Sequence, residues 1–242
     1  MSSESSAPRH PDAVEAAHGD RGGPVPAATR SGRLAWLRSP LLQLLVGYAT
    51  IQMALWTSGA VKFVAMAAAY VGIIAAVLLE RVPASELGFG QKGLRESLWM
   101  APAALGLGGL MVLIGWRFGS LHGLSDEAIG WRVLGYVPWA LAQQVAALCF
   151  FFRRLERLLR GGTAAVVVTA VLFAGAHVPN PVLMSATLIA EFLWSLAYRR
   201  YRNIYAISLA HAILAVAVTV SVPVVWHHSM RVGSGYLLYR ID

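Results

Sequence analysis

Seven apolar segments follow one another between residues 41 and 226, each close to the roughly 20 residues that an α-helix needs to cross a bilayer. They are predicted at 41–58, 63–79, 98–116, 133–152, 163–178, 182–198 and 204–226. Tryptophans at or near their ends, such as Trp116 and Trp226, are typical of membrane–water interfaces. The sequence therefore predicts an all-α fold, a polytopic bundle of transmembrane helices, with seven spans or with eight if a C-terminal segment re-enters the membrane.

The composition agrees with lipid as the solvent. Of the 242 residues, 57% are hydrophobic and only 13% are charged, whereas about 25% are charged in a typical soluble domain. The net charge of +8 does not indicate nucleic-acid binding, because the arginines stand between apolar runs instead of forming the basic face of a soluble fold.

Basic residues near the span ends predict the orientation. With the N-terminus inside, thirteen of them fall on the cytoplasmic side and five on the other side, as the positive-inside rule requires. The thirteen are Arg30, Arg33, Arg38, Arg81, Lys92, Arg95, Arg153, Arg154, Arg157, Arg160, Arg199, Arg200 and Arg202, and the five are Lys62, Arg117, Arg132, Arg231 and Arg240. With seven spans, the C-terminal tail is expected outside.

The chain is predicted to have four parts. Residues 1–40 contain no apolar run and are expected to form a disordered cytoplasmic tail. Residues 41–128 hold the first three spans and an interfacial loop near 86–99, residues 129–226 hold the last four spans, and residues 227–242 form a C-terminal tail.

Few strongly polar side chains fall inside the predicted spans. Glu191 is the only carboxylate among them, His177 and His211 are the only histidines, and Gln143 and Gln144 form the only adjacent amide pair. At about 1.5 Å of rise per residue, the two glutamines lie roughly 15 Å below the outer surface. Glu191 and His211 lie at a similar depth, and His177 is nearer the outer end.

These residues admit a structural and a functional interpretation. A single histidine or glutamine within a membrane often joins helices by a hydrogen bond. A mid-membrane carboxylate is harder to explain in this way, because it has to be protonated or paired. Polar groups that converge from four helices into one layer favour a functional site, provided that they face each other.

Residues 139–215 resemble the CPBP family of intramembrane endopeptidases, which includes CAAX proteases and bacteriocin-processing enzymes. The segment Phe173-Ala-Gly-Ala-His177 matches the family's Phe-x-x-x-His motif, and His211 fits its later histidine. The resemblance implies cleavage of a membrane protein or peptide by an activated water. It also implies that histidines orient this water or stabilise the oxyanion.

The chain departs from the family pattern at the first motif, Glu-Glu-x-x-x-Arg. Gln143 and Gln144 stand at the two glutamate positions, Leu148 at the arginine position, and Ala215 at a frequent asparagine position. An amide cannot accept a proton as a general base.

Two hypotheses follow from this departure. In a variant protease, Glu191 takes over as the base, His177 and His211 hold the water or a divalent metal, and the glutamines donate to the oxyanion. In a non-catalytic homologue, the chain binds membrane segments without cutting them. Two histidines and a carboxylate can ligate zinc, but the sequence contains no tightly spaced ligand motif.

Two other classes of protein remain open. Buried glutamate and histidine also mark transporters and proton relays, and a purely structural membrane partner would tolerate polar-to-apolar changes at all five positions. Frequent Ala, Arg and Gly are typical of a GC-rich bacterial genome. We therefore expect a multi-pass protein of the bacterial cytoplasmic membrane, whose partners are the lipid bilayer and a membrane-protein or peptide substrate.

Overall fold

A computed structural model describes residues 39–123 and 129–240, and every regular element in these two ranges is a helix. The predicted all-α fold is thereby confirmed. The predicted tail, with Arg30, Arg33 and Arg38, lies outside the described residues except for Ser39 and Pro40. The prediction of four parts stays a prediction.

Each predicted apolar segment contains a long helix. The seven helices are α1 (Pro40–Trp56), α2 (Gly59–Leu79), α4 (Met100–Arg117), α5 (Ile129–Gln144), α7 (Gly162–Gly175), α8 (Pro181–Tyr201) and α9 (Tyr205–Ser221). The shorter elements are α3 (Leu94–Ser97), a π-helical segment (Val145–Phe152), α6 (Arg153–Leu158), α10 (Val224–His227), a 3-10 turn (His228–Met230) and α11 (Ser234–Leu237).

Four stretches of the described chain are long and apolar enough to cross a membrane, namely Gly59–Leu79, Leu94–Arg117, Leu134–Leu158 and Pro181–Tyr201. The other three apolar helices, α1, α7 and α9, are shorter. The chain is an integral membrane protein, and seven as the number of spans stays a prediction.

Prolines explain where several helices begin and end. Pro40 and Pro181 occupy the first positions of α1 and α8, where the missing N–H is not needed, and Ser39 and Asn180 cap these helices with their side chains. The seventh predicted span was too long, because α9 ends at Ser221, two residues before Pro223. A residue that precedes proline disfavours the helical conformation.

The two ends of the helices differ in charge. At the arginine-rich end, the loop after α2 packs against the C-terminal end of α8, where the Tyr198 hydroxyl donates to the Leu87 carbonyl at 3.0 Å. Gly93 has a φ of +70° there, and a Cβ atom at this position would overlap the Tyr201 carbonyl. The loop then leads into a short helix, α3.

The opposite end carries the ends of α1, α4 and α9, the turn after α7, and the C-terminal residues. The Ser120 hydroxyl after α4 donates to the Ser221 carbonyl at 2.7 Å. The Gly233 N–H donates to the Val178 carbonyl at 2.8 Å. The C-terminal residues therefore lie at the same end as the turn after His177, as seven spans predict.

Candidate functional site

A cavity of about 450 Å³ lies among the helices, and most of its wall is aliphatic or aromatic. Every long helix contributes to this wall, and two residues of the C-terminal segment complete it. The polar side chains on it are Tyr48, Tyr70, Tyr136, Gln143, Thr169, His177, Thr187 and His211, together with the indoles of Trp139 and Trp194. Three of the five residues singled out in the sequence, Gln143, His177 and His211, thus reach one cavity.

The other two singled-out residues lie directly behind this wall. Gln144 and Glu191 are fully buried. The Gln144 amide nitrogen lies 3.1 Å from Glu191 Oε2 and 3.2 Å from His211 Nδ1. One amide therefore joins the carboxylate to the imidazole, and its two N–H groups account for both contacts.

The second carboxylate oxygen of Glu191 also has a partner. The Ser195 hydroxyl donates to Glu191 Oε1 at 3.3 Å. Ser195 stands four residues along the same helix, on the same face, and is itself fully buried. Both oxygens of Glu191 accept a hydrogen bond inside the protein, so this carboxylate faces neither lipid nor the cavity.

The contact with Gln144 assigns the proton of the His211 ring. An amide nitrogen can only donate, so His211 Nδ1 is the acceptor and a neutral ring carries its proton on Nε2. The Trp194 ring stacks on His211, with the centroids 4.6 Å apart and the planes at 29°.

His177 has the opposite tautomer. Its Nδ1 lies 2.7 Å from the Phe173 carbonyl, four residues earlier in the chain. A carbonyl can only accept, so Nδ1 carries the proton, and Nε2 of the neutral ring keeps a free lone pair. The Phe173 ring neighbours both histidines, with centroid distances of 5.1 Å to His177 and 6.0 Å to His211.

Contacts from α1 support the turn that presents His177. The Gln52 side chain donates to the Gly175 carbonyl at 3.3 Å. A Cβ atom on Gly175 would meet the Tyr48 hydroxyl. Helix α1 therefore approaches the end of α7 closely and fixes the backbone two residues before His177.

A π-helical segment begins directly after Gln144. Such segments are rare and occur often at functional sites, because the wider turn changes which side chains face a given direction. Within it, Leu148 is fully buried in the apolar core. The position of the family motif's arginine therefore contributes packing in this chain.

The sequence did not single out the residues that support the site. Ser195 is one helical turn from Glu191, which is the signal that could have identified it. Trp194 and Thr169 had no signal, because an indole or a hydroxyl within an apolar run is common. The Thr169 hydroxyl is buried, and no group in the described part of the chain lies within hydrogen-bonding distance of it.

The possible metal ligands are dispersed. Residues 39–123 and 129–240 contain no group of three His, Cys, Asp or Glu side chains with the spacing of a metal site. The Gln144 amide stands between Glu191 and His211. A divalent metal held by His177 and His211 stays a prediction.

Comparison with known protein families gives a match in the second half of the chain. Residues 126–217 match the family described as type II CAAX prenyl endopeptidase Rce1-like. This range contains all five residues singled out in the sequence, and most of it is α5, α7, α8 and α9. No curated protein and no solved structure matches the chain.

Proposed function

We propose that this chain, as a member of the CPBP family of CAAX proteases, cuts a membrane-associated protein or peptide. The cut is made near one end of the substrate, at the wall of the cavity. Family membership makes it in general a CAAX-protease-like intramembrane endopeptidase. The proposal adds the kind of substrate and the roles of the five residues.

The observation that carries the proposal is a pair of hydrogen bonds that gives two imidazoles on the cavity wall opposite tautomers. In the neutral rings, His177 Nε2 has a lone pair and His211 Nε2 has a proton. Hydrolysis of a peptide bond needs a group of each kind, one that takes a proton from water and one that donates to the oxyanion.

The proposed reaction uses these two groups in turn. His177 Nε2 accepts a proton from a water molecule while the water oxygen bonds to the carbonyl carbon of the scissile peptide. The His211 Nε2–H donates to the resulting oxyanion. The C–N bond then breaks, and His177 returns the proton to the leaving amine nitrogen.

Gln144 and Glu191 act through His211 in this scheme. The Gln144 amide holds His211 Nδ1 as an acceptor, and Glu191 holds the amide in place. Both are positioning residues, whereas the sequence-based hypothesis made Glu191 the general base. Gln143, on the cavity wall, is proposed to contact the substrate backbone with its amide.

A cleavage assay tests the function. Membrane proteins are co-expressed with the wild type or with His177→Ala, and their new termini are identified by mass spectrometry. We expect termini that depend on the wild type and disappear in His177→Ala. The matched control is His18→Ala, outside the described residues, which should cleave as the wild type does.

The alternatives predict other outcomes. Termini that persist in both His177→Ala and His211→Ala would contradict the proposed chemistry, and an absence of any new terminus would favour a non-catalytic homologue. Flux of protons or solutes in proteoliposomes without cleavage would favour a transporter. Loss of cleavage with 1,10-phenanthroline, restored by zinc, would add a divalent metal to His177 and His211.

We also propose a bacterial cytoplasmic membrane as the location, with the N-terminus inside. The support is the concentration of cations at the arginine-rich end, where ion pairs such as Arg202–Glu156 at 3.1 Å join α6 to the end of α8. Alkaline phosphatase fused after Asp242 should be active, because the enzyme folds only outside the cytoplasm. An inactive fusion would contradict the orientation.

A further inference from the structure

The chain from residue 222 to residue 238, called the cap segment below, folds over one end of the cavity. Met230 and Val232 of this segment line the cavity, next to the end of α1. The Gly233 N–H that follows donates to the Val178 carbonyl at 2.8 Å. The cap segment therefore lies between the solvent at this end of the protein and the cavity wall that carries His177.

The cap segment is seated closely on α1. The Ser234 hydroxyl donates to the Leu55 carbonyl at 3.4 Å and to the Thr57 carbonyl at 3.1 Å. Gly233 has a φ of +56°, and a Cβ atom there would overlap the Leu55 carbonyl. Only glycine allows this approach, so the closed position depends on a defined contact.

The turn in the cap segment is strained. His228, Ser229 and Met230 follow one another with φ values of 45°, 51° and 61°. Residues with a Cβ atom rarely adopt this left-handed conformation, and they remain in it only where surrounding contacts hold them. The turn therefore tends to open when such a contact is lost.

One contact that holds this turn is the His227 ring, which is almost fully buried. The Met230 N–H donates to His227 Nδ1 at 3.1 Å, and His227 Nε2 lies 2.9 Å from the Val222 carbonyl, to which it must donate. Both nitrogens are satisfied in the neutral ring only. If Nδ1 were protonated, its N–H would point at the Met230 N–H, and two donors would face each other.

Asn180 adds a second contact, which does not depend on pH. Its side-chain amide donates to the His227 carbonyl at 2.8 Å and to the Arg231 carbonyl at 3.0 Å, while its oxygen caps α8 at Leu183. Asn180 thus ties both ends of the strained turn to the chain segment that follows His177.

The groups around His227 disfavour a positive charge. The His122 ring stacks on it, with centroids 5.6 Å apart, and His228 is its neighbour in the chain. Arg231 of the cap segment lies over the Tyr239 ring. Burial, followed by these two histidines, lowers the pKa of His227 from its ordinary value. Closure is therefore complete above about pH 6.5, the ordinary pKa of an exposed histidine, and weakens as the pH falls below it.

We propose that the cap segment is a pH-sensitive lid over the candidate active site, closed while His227 is neutral and released when His227 is protonated. Release would open the cavity to the substrate at its capped end. The proposal rests on the proposed function only for the role of the cavity as the substrate site.

Thiol labelling of the full-length protein in detergent tests the lid without any substrate. Cys149 is buried, so it gives a low background. Ala186→Cys places a thiol on the cavity wall near the capped end, and Ser85→Cys places one on an exposed loop. Both thiols are labelled with a polar maleimide, and the rate at position 186 is divided by the rate at position 85. This ratio removes the effect of pH on the chemistry of the thiol.

We expect this ratio to rise about tenfold between pH 7.5 and pH 5.5, because one group with a lowered pKa shifts the equilibrium by up to tenfold per pH unit below 6.5. His227→Asn keeps an acceptor near the position of Nδ1 and cannot be protonated, so its ratio should stay low at both pH values. His18→Asn, outside the described residues, is the control for the loss of a histidine and should keep the pH response.

Asn180→Asp provides a test that does not depend on the His227 variant. It keeps the oxygen that caps α8 and replaces the two N–H donors, so the ratio should be high at both pH values. A flat ratio in the wild type, an unchanged pH response in His227→Asn, or slow labelling of Asn180→Asp would each overturn the lid. None of these outcomes depends on cleavage, so the lid and the protease function can fail separately.

Discussion

Two clusters of buried polar side chains occupy different levels of the continuous helix that α5, the π-helical segment and α6 form together. Near its middle, Gln144 joins Glu191 to His211 beside the cavity. Toward the arginine-rich end, Arg154 is fully buried and pairs with Glu80 at 2.6 Å.

The clusters differ in whether reactive side-chain atoms are left without a hydrogen-bond partner. Arg154 uses its guanidinium on Glu80, on the Gln43 side chain at 2.6 Å and on two backbone carbonyls, and it also covers the Phe150 ring at 4.0 Å. Within residues 39–123 and 129–240, His177 and His211 each have one ring nitrogen without a hydrogen-bond partner on the cavity wall. A buried polar cluster thus indicates chemistry where reactive atoms remain free beside a cavity, and stability where every group is matched.

The largest effect on cleavage is expected from His177→Gln. The variant keeps a polar side chain but has no proton-accepting nitrogen, so the cleavage rate should fall by about 10²–10⁴-fold, the usual contribution of a general base. The thermal midpoint should stay close to that of the wild type. If His177→Gln instead lost stability and activity in proportion, the role of His177 would be structural, like that of Arg154.

Arg154→Leu should have the opposite profile. Glu80 keeps only its exposed partner Arg157, and the free energy of unfolding should fall by roughly 3 kcal/mol, as for a broken buried pair. The folded fraction should cleave at the wild-type rate. The matched control is Arg157→Leu, which removes a half-exposed partner of the same carboxylate and should cost about 1 kcal/mol or less.

Glu191→Gln is expected to have an intermediate effect. The substituted amide can still accept from Gln144, but its NH2 group would face the Ser195 hydroxyl that donates to Glu191 Oε1. The support of His211 is thereby weakened, so kcat should fall about 10–100-fold while KM changes little. Glu86→Gln, at an exposed loop carboxylate, is the control. A loss as large as that of His177→Gln would make Glu191 the base itself, as first predicted from the sequence.

The smallest effect should come from Ser195→Ala. One neutral hydrogen bond to Glu191 Oε1 is removed, which costs about 1 kcal/mol and reduces kcat less than tenfold. Thr169→Val is a suitable comparison, because the Thr169 hydroxyl has no partner within the described ranges. A larger effect of Thr169→Val on kcat would shift the site toward that side of the cavity.

The helices could be predicted from the sequence because apolar runs of span length permit little else in a membrane. The candidate site could be predicted only as a set of residues. Depth along a helix follows from the number of residues, and this brought Gln144, Glu191 and His211 to one layer. Which glutamine faces the cavity depends on rotation about the helix axis, and a π-helical segment alters this rotation.

Other features depended on contacts that no local pattern records. Arg154 looked like one more cation of the positive-inside rule, because its partner Glu80 is far away in the chain. The cap segment was assigned partly to a span and partly to a tail, since its apolar residues Val225 and Trp226 continue the hydrophobic run. Pro223 was the signal that separates them.

The π-helical segment sets the angular phase between the two clusters. A π turn accommodates one residue more than an α turn, so the residues before and after Val145–Phe152 are out of step with a continuous α-helix. Removing a single residue there would restore the α period and rotate everything beyond it by about 100°. Only one of Gln144 and Arg154 could then face its partners at a time. The π-helical segment therefore fixes the rotation about the helix axis between these two residues.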